Sequence, residues 1–405
     1  MTGVMQGVRV LEVAEQTFVP SASALLSDWG AEVIKIEHPV RGDAMRGLES
    51  TGTADVPSDV HALLEHSNRG KRSLGLDLSD PAGAEILYRL ASTADVFLTN
   101  KLPGVRRRLR IDVDDIRAHN SRIIYARGTG QGERGPDADK GSYDALSFWN
   151  RSGVAKGAMR PEDEYVPVPP GPGFGDSIGG LTIACGIAAA LFRRERTGEP
   201  SIVDVSLLSS GMWAQGQAIA LASVLKRGTS APPGGAPSRN PLVGNFRTAD
   251  GGFIALVCLQ AAKYWGSLCE CVGRPELGAD PRFASHIALS ANSADAQALL
   301  RREFARRPVD HWREALQPFS GQWAIVQDTY EVLGDPQVLA NGYVQRCETT
   351  TGSEFQLVAS PIQFDGTPAR AQRAPVFNEH GDDILRELGL DWDDVVDLKV
   401  RGVVA

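Results

Sequence analysis

The sequence is short of the residues that usually mark a dedicated site. It has five cysteines, at positions 185, 258, 269, 271 and 347, and only Cys269 and Cys271 lie close together. No Cys-x-x-Cys pair occurs, so zinc ribbons and thiol–disulfide motifs are excluded. Buried thiols in a reducing, cytoplasmic compartment are the expectation. The seven histidines are scattered, and His61 and His66 do not form His-Glu-x-x-His, so no metal site is expected. Positive charge is in the minority: 42 Lys and Arg against 50 Asp and Glu, a net charge of −8. An acidic chain is a poor binder of nucleic acid or anionic membrane, and neither partner is expected. Long apolar runs are also missing. The longest uncharged stretch, Val205 to Leu225, contains serine, glutamine and glycine and reads as a buried helix, not a membrane span. Met1 to Gly7 lead into Val8 with no apolar leader, so no signal peptide is expected.

Glycine is what the chain has in excess, 43 of 405 residues. The length allows two or three domains. The first 130 residues alternate between short apolar strands and helices. Strands are expected at 8–13, 32–37, 95–98 and 122–126, and helices at 20–29, 80–92 and 112–118. Asp80-Pro81 is a helix start, with Asp as cap and Pro in the first turn. This alternation predicts an α/β fold with a parallel, Rossmann-like sheet. Residues 128–175 read as a loop-rich stretch, 177–196 as an apolar helix, 202–205 as a strand and 206–225 as a second helix. A Gly/Pro/Ser-rich linker follows at 227–240. Ala249-Asp-Gly-Gly252 between apolar runs signals a hairpin. Residues 228–330 are expected to form a small α+β domain inserted into a large one made of 1–227 and 331–405.

Three features bear on chemistry. Gly128-Thr-Gly-Gln-Gly-Glu-Arg-Gly135 follows a strand but lacks Gly-Lys-[Ser/Thr], so it reads as a plain glycine-rich loop. Asp176 lies between glycines ahead of a helix. It suits an N-cap, and an ionised carboxylate there also suits a nucleophile. Arg69, Lys71, Arg72 and Arg106 to Arg108 read either as a solvated charged face or as a phosphate-binding rim.

Several blocks resemble one family. They are Gly7-Val-Arg-Val-Leu-Glu, the Leu-Ser-Asp-Trp-Gly-Ala-Glu-Val-Ile-Lys-Ile-Glu37 segment, Gly42-Asp43 and Asn68-Arg-Gly-Lys-Arg-Ser. Ala94-Asp-Val-Phe-Leu-Thr-Asn100 with Pro103-Gly104, the stretch from Arg193 to Leu208, and Arg373-Ala-Pro375 follow in the same order. Together they resemble the class III CoA-transferases, a family that includes formyl-CoA and carnitine CoA-transferases and α-methylacyl-CoA racemase. The resemblance implies a Rossmann-like large domain, an inserted small domain, and two chains interlocked as a homodimer. It implies transfer of CoA from an acyl-CoA donor to a carboxylic acid, with Asp176 as nucleophile and an aspartyl-CoA thioester as intermediate. CoA and its acyl esters are then the substrates, with no metal. The CoA contacts implied are Thr17, Phe18, His38, Leu76, Ser79, Asn100, Lys101, Arg108, Gly141, Tyr143 and Asp144. Gly234-Gly235 reads either as the family's glycine loop that closes on the active site or as plain linker.

The sequence departs from the family at several points: Val19 replaces a glycine, Lys101 a phenylalanine and His38 an arginine. Tyr143 stands where the racemase branch has histidine, and tyrosine is a weak base at pH 7. The alternatives are a racemase or epimerase using Asp176, and a non-catalytic acyl-CoA-binding homologue. The uncharged 206–225 segment, with Met212 and Trp213, is expected to be core or to line an acyl site.

Overall fold

A computed structural model describes residues 3–52, 55–228, 230–231 and 238–405. Gly234 and Gly235 lie outside the described residues. The chain divides into two compact units, Met1–Ala231 with Gln337–Ala405, and Pro232–Pro336.

The large unit opens with strictly alternating elements: β1 (Arg9–Val13), α1 (Phe18–Asp28), β2 (Glu32–Glu37), α2 (Ala62–Asn68), β3 (Arg72–Gly75), α3 (Pro81–Ser92) and β4 (Val96–Thr99). Then come α4 (Pro103–Leu109), α5 (Val113–His119), β5 (Ile124–Thr129), a π-helical turn (Ala145–Arg151) and α6 (Val154–Ala158). The last members before the second unit are α7 (Phe174–Thr197), β6 (Ile202–Ser206), α8 (Leu207–Ala214) and α9 (Gly216–Leu225). The six strands form one sheet in the order β3-β2-β1-β4-β5-β6, with every pairing parallel. This is the doubly wound order, in which the strand sequence reverses between β1 and β4.

The inner strands β1, β2, β4 and β5 are mainly apolar on both sides because both sides are covered. Leu11, Val13, Ile34, Ile36, Phe97 and Tyr125 point into one core with α3 and α5. Val10, Val33, Val96, Leu98 and Ile124 point into another with α1 and α7. Burial of both faces explains why these strands lack a polar alternation. Asp80 caps α3 by accepting the Ala82 N–H at 2.8 Å.

The second unit contains β7 (Val243–Arg247), β8 (Phe253–Val257), α10 (Ala261–Cys271), α11 (His286–Ala291), α12 (Ser293–Phe304), α13 (Val309–Ala315) and β9 (Trp323–Ile325). β7 and β8 are the antiparallel hairpin read from Ala249 to Gly252, and β9 adds to β8. Its core gathers Phe246, Trp265, Phe304 and Trp312. The remaining elements are α14 (Pro336–Ala340), the β10 (Val344–Glu348) and β11 (Glu354–Val358) hairpin, α15 (Gly381–Glu387) and α16 (Trp392–Val400). The last two complete the first core of the large unit. The C-terminus also covers the β3 edge: Leu76 bridges Val404, and the Ala405 N–H donates to the Gly75 carbonyl. An unpaired strand edge is thereby removed.

Two expectations need correction. The 206–225 segment is not one buried helix. It breaks at Gln215, and α9 has no buried residue at all. Trp213 is 86% exposed and Met212 is also exposed, so neither is core. The loop-rich 128–175 stretch includes short helical pieces. It holds the π-helical turn and α6, pinned where the Trp149 indole N–H donates to the Pro167 carbonyl at 2.6 Å. The long apolar α7 meets the length and composition of a membrane span, yet one face of it packs on α1 and the sheet.

Candidate active site

The carboxyl ends of the strands converge on a cavity of about 140 Å³. Its wall is built from four consecutive sheet positions. Gln16 and Phe18 follow β1, Asn100 and Leu102 follow β4, Gly128 to Gly130 end β5, and Leu207 follows β6. Gly141, Ser142 and Tyr143 come from the loop, and Asp176 from α7. Open α/β sheets bind ligands at this place, outside the strand ends where the order reverses.

The start of α7 differs from its sequence reading. Gly173 takes a left-handed conformation (φ 65°) and stands at the cap position, so the helix begins at Phe174. Asp176 is therefore the third residue of the helix and does not cap it. The expectation that cap bonds keep this carboxylate ionised is overturned. The side chain is half-buried, and its pKa is pushed up to about 7, first by burial and then by the neighbouring Asp144 carboxylate. Asp144 is held there because its Oδ2 accepts the Gly175 N–H at 3.2 Å.

Two helix N-termini meet beside the cavity. Neither Thr17 at the start of α1 nor Gly173 at the start of α7 provides a side-chain cap. A Cβ on Gly173 would lie 3.1 Å from the Thr17 methyl. The Gly175 N–H of α7 is already taken by Asp144, whereas α1 has no side-chain cap, so the N–H groups and the positive dipole end of α1 make this a place for developing negative charge.

A second cavity of about 210 Å³ lies against the same turn of α7, lined by Thr17, Leu63, His66, Pro172, Gly173 and Ser177. His66 Nε2 lies 3.4 Å from Ser177 Oγ. Burial, with Arg69 nearby, pushes the His66 pKa down to about 4, so the imidazole is neutral at pH 7. None of the residues lining this cavity carries a charge at that pH.

Of the twelve site residues named from sequence, Phe18, Asn100, Gly141, Tyr143 and Asp176 line the first cavity. Thr17 lines the second, and Asp144 stands behind Asp176. Asn100 acts inward, its amide donating to the Glu15 carbonyl at 2.7 Å and accepting the Glu15 N–H at 3.2 Å. The other five lie away from both cavities. His38 is exposed after β2, its Nδ1 accepting the Val40 N–H at 3.2 Å. Leu76 is buried in the core, so only its backbone can meet a ligand. Ser79 is exposed and donates to Asp77. Lys101 is committed to Glu15. Arg108 is exposed on α4 with no ion-pair partner among the described residues. Sequence reading missed Gln16, Thr129, Leu207, His66 and Ser177. The pattern around them carries no signal, because strand ends and α2 become neighbours only through the sheet.

The basic residues also divide differently from either sequence reading. Lys71 is buried against Glu12 at 2.8 Å, and Arg69 is buried against Asp28 at 2.8 Å. Arg72 bridges Glu32 and Glu387, and Arg106 is held by Glu133 at 2.7 Å. These four are internal ties. Arg107 and Arg108 remain as an exposed, unpaired rim among the described residues.

Comparison with known proteins follows the same lines. The family model described as CoA-transferase family III matches residues 5–381. The chain is 28% identical over 401 residues to the (R)-2-hydroxy-4-methylpentanoate CoA-transferase of Clostridioides difficile, covering 99% of each. It is 28% identical over 403 residues to the cinnamoyl-CoA:phenyllactate CoA-transferase of Clostridium sporogenes, covering 98% of this chain and 96% of the other. The crystal structure of a CaiB/BaiF family protein from Brucella suis superposes with a TM-score of 0.81 at 27% identity, covering 96% of this chain and all of that one.

Proposed function

From the premise that the chain belongs to CoA-transferase family III and is an enzyme of that class, we propose that it moves CoA between an acyl-CoA and a carboxylic acid through an aspartyl-CoA thioester on Asp176. The observation that supports this most is the placement of a half-buried carboxylate on the first turn of α7, opening into the strand-end cavity beside the uncapped N-terminus of α1.

The steps balance without any added reactant. An Asp176 carboxylate oxygen attacks the acyl carbon, the C–S bond breaks, and the CoA thiolate leaves a mixed anhydride on Asp176. The thiolate then attacks the Asp176 carbonyl carbon and releases the donor carboxylate, leaving an aspartyl-CoA thioester. An acceptor carboxylate repeats the two steps in reverse and regenerates Asp176. Backbone N–H groups at the start of α1 are suited to hold each oxyanion. For the CoA phosphates, Arg107 and Arg108 fit because their guanidinium groups are exposed and uncommitted.

The second cavity is our candidate for the acyl group. Its uncharged wall of Leu63, Pro172, Thr17, Ser177 and neutral His66 suits a short acyl chain with a hydrogen-bonding group and no second carboxylate. The (R)-2-hydroxy-4-methylpentanoate in the name of one relative above is of that class. A homodimer is also proposed, supported by the apolar helix α9, which has no buried residue.

Intact mass after incubation with acyl-CoA tests the assignment. A CoA-sized adduct is expected on the wild type and not on Asp176→Ala. CoA transfer with no such adduct sinks the covalent route. A second reading, acyl-CoA racemisation, draws on the Asp176 pKa near 7, which suits a general base. It predicts deuterium uptake at Cα in heavy water and no adduct.

A further inference from the structure

We propose that Asp43 is a positioning residue for CoA transfer, acting through the turn from Ala14 to Thr17 that walls the Asp176 cavity; this rests on the assignment of Asp176 above. Gln16 lines that cavity and has φ of 71°. A left-handed backbone costs a non-glycine residue about 1–2 kcal/mol and persists only where the surroundings enforce it. The Gln16 N–H donates to Asp43 Oδ1 at 3.0 Å, across 27 positions of sequence.

Asp43 is itself fully buried and held from three sides. Its N–H donates to Glu37 Oε2 at 2.8 Å, its Oδ1 also accepts the Met45 N–H at 2.9 Å, and its Oδ2 faces Lys35 Nζ at 2.8 Å. Lys35 then donates to the Ala14 carbonyl at 2.9 Å and pairs with Glu12 at 2.7 Å. Lys71 closes the cluster, pairing with Glu12 at 2.8 Å and donating to the Pro20 carbonyl at 2.9 Å. From the cavity side, the Asn100 amide grips both backbone groups of Glu15. Residues 14, 15 and 16 are thus each tied through a backbone polar group by a side chain from elsewhere.

Five buried ionisable side chains are a poor way to gain stability, since apolar side chains of the same volume often do as well or better. Backbone precision is what this cluster supplies in their place. With the turn fixed before substrate arrives, the Gln16 side chain and the start of α1 need no rearrangement when charge develops at Asp176.

The test uses the full-length protein. In Asp43→Ala, the rate of CoA adduct formation should fall about 10- to 100-fold, with the KM for acyl-CoA changed far less. Asp43→Asn keeps the Oδ1 acceptor and should recover part of that loss. Because asparagine tolerates the left-handed region, Asp43→Ala should cost less in a Gln16→Asn background. Hydrogen exchange in the 14–20 segment should rise in Asp43→Ala. Equal losses in both backgrounds, an unchanged adduct rate, or unchanged exchange overturns the proposal. Should the Asp43 variants fail to fold, the Gln16 amide of the wild type decides: slow exchange supports the tie, and exchange at the rate of an open loop overturns it. A wild type that transfers CoA without an adduct overturns the Asp176 assignment alone, and positioning is then judged on the transfer rate. A wild type that transfers none removes both.

Discussion

Asp176 shows how one position can be read correctly for its setting and wrongly for its charge. Its neighbours in sequence are glycines that announce a helix start, and the helix does start there. The start is at Phe174, however, so the carboxylate gains no cap bonds and faces Asp144 in a half-buried wall. The pH consequence has a definite sign. An acid whose folded pKa lies above its unfolded value binds its proton more tightly when folded. Asp176 therefore lowers stability progressively as pH rises from about 4 to about 7, and the full penalty is present above 7. We predict that Asp176→Asn raises the thermal midpoint more at pH 8 than at pH 4, by an effect on the order of 2 kcal/mol once screening is allowed for. Calorimetry at the two pH values measures this, and an equal shift at both would contradict it. Adduct formation should likewise rise with pH through about 7. Replacing Asp144 by Asn should move that rise to lower pH, because one of the two causes of the shift is gone. A pH–rate profile of the two proteins checks this directly.

At the scale of elements, the contact between α1 and α7 decides where Asp176 stands. The glycines around Asp176 and at the end of β5 are in large part clearance for protein. A Cβ on Gly179 would strike the Phe18 ring, and one on Gly180 would strike Ser21 Oγ and the Phe18 carbonyl. Gly175 meets Phe148, and Gly128 meets Val19 and Phe18 in the same way. Gly180→Ala should thus destabilise the protein by about 1–3 kcal/mol through overpacking, and should also lower the adduct rate by displacing the first turn of α7. Gly171→Ala is the matched control. It meets nothing within 4 Å and does not have a left-handed φ, so its stability should change by well under 1 kcal/mol. Urea denaturation of both variants measures the difference, and equal losses would sink the packing account.

For the whole molecule, the uncovered surface is as informative as the core. All of α9 lies outside the buried set, and Leu221, Val224 and Leu225 are exposed along it. An apolar helix left open on a single chain marks an interaction surface. The proposed homodimer places a second copy there. Leu221→Glu with Val224→Glu should convert the dimer to monomer in light scattering while leaving the circular dichroism of the chain intact. A wild type that is already monomeric, or a double variant that stays dimeric, would remove α9 from the interface.

The β/α alternation was legible because most of the inner parallel strands are short, mainly apolar runs covered on both faces, a local property of the chain. The Asp80-Pro81 helix start and the hairpin at 249–252 were legible for the same reason, since caps and tight turns are decided within four residues. The family, too, was carried by short motifs in a fixed order, and so was the choice of Asp176. Tertiary structure alone decided which cations are free. Arg69 and Lys71 look like a basic rim, yet their partners Asp28 and Glu12 lie 41 and 59 positions away, and no local pattern shows that they are buried. It also decided that Gln16, not a glycine, takes the left-handed turn. The acceptor that holds that backbone, Asp43, reaches it only after β1 and β2 have paired. Local chemistry is written along the chain, whereas burial, charge pairing and the pKa of Asp176 arise from residues that the folded sheet alone brings together.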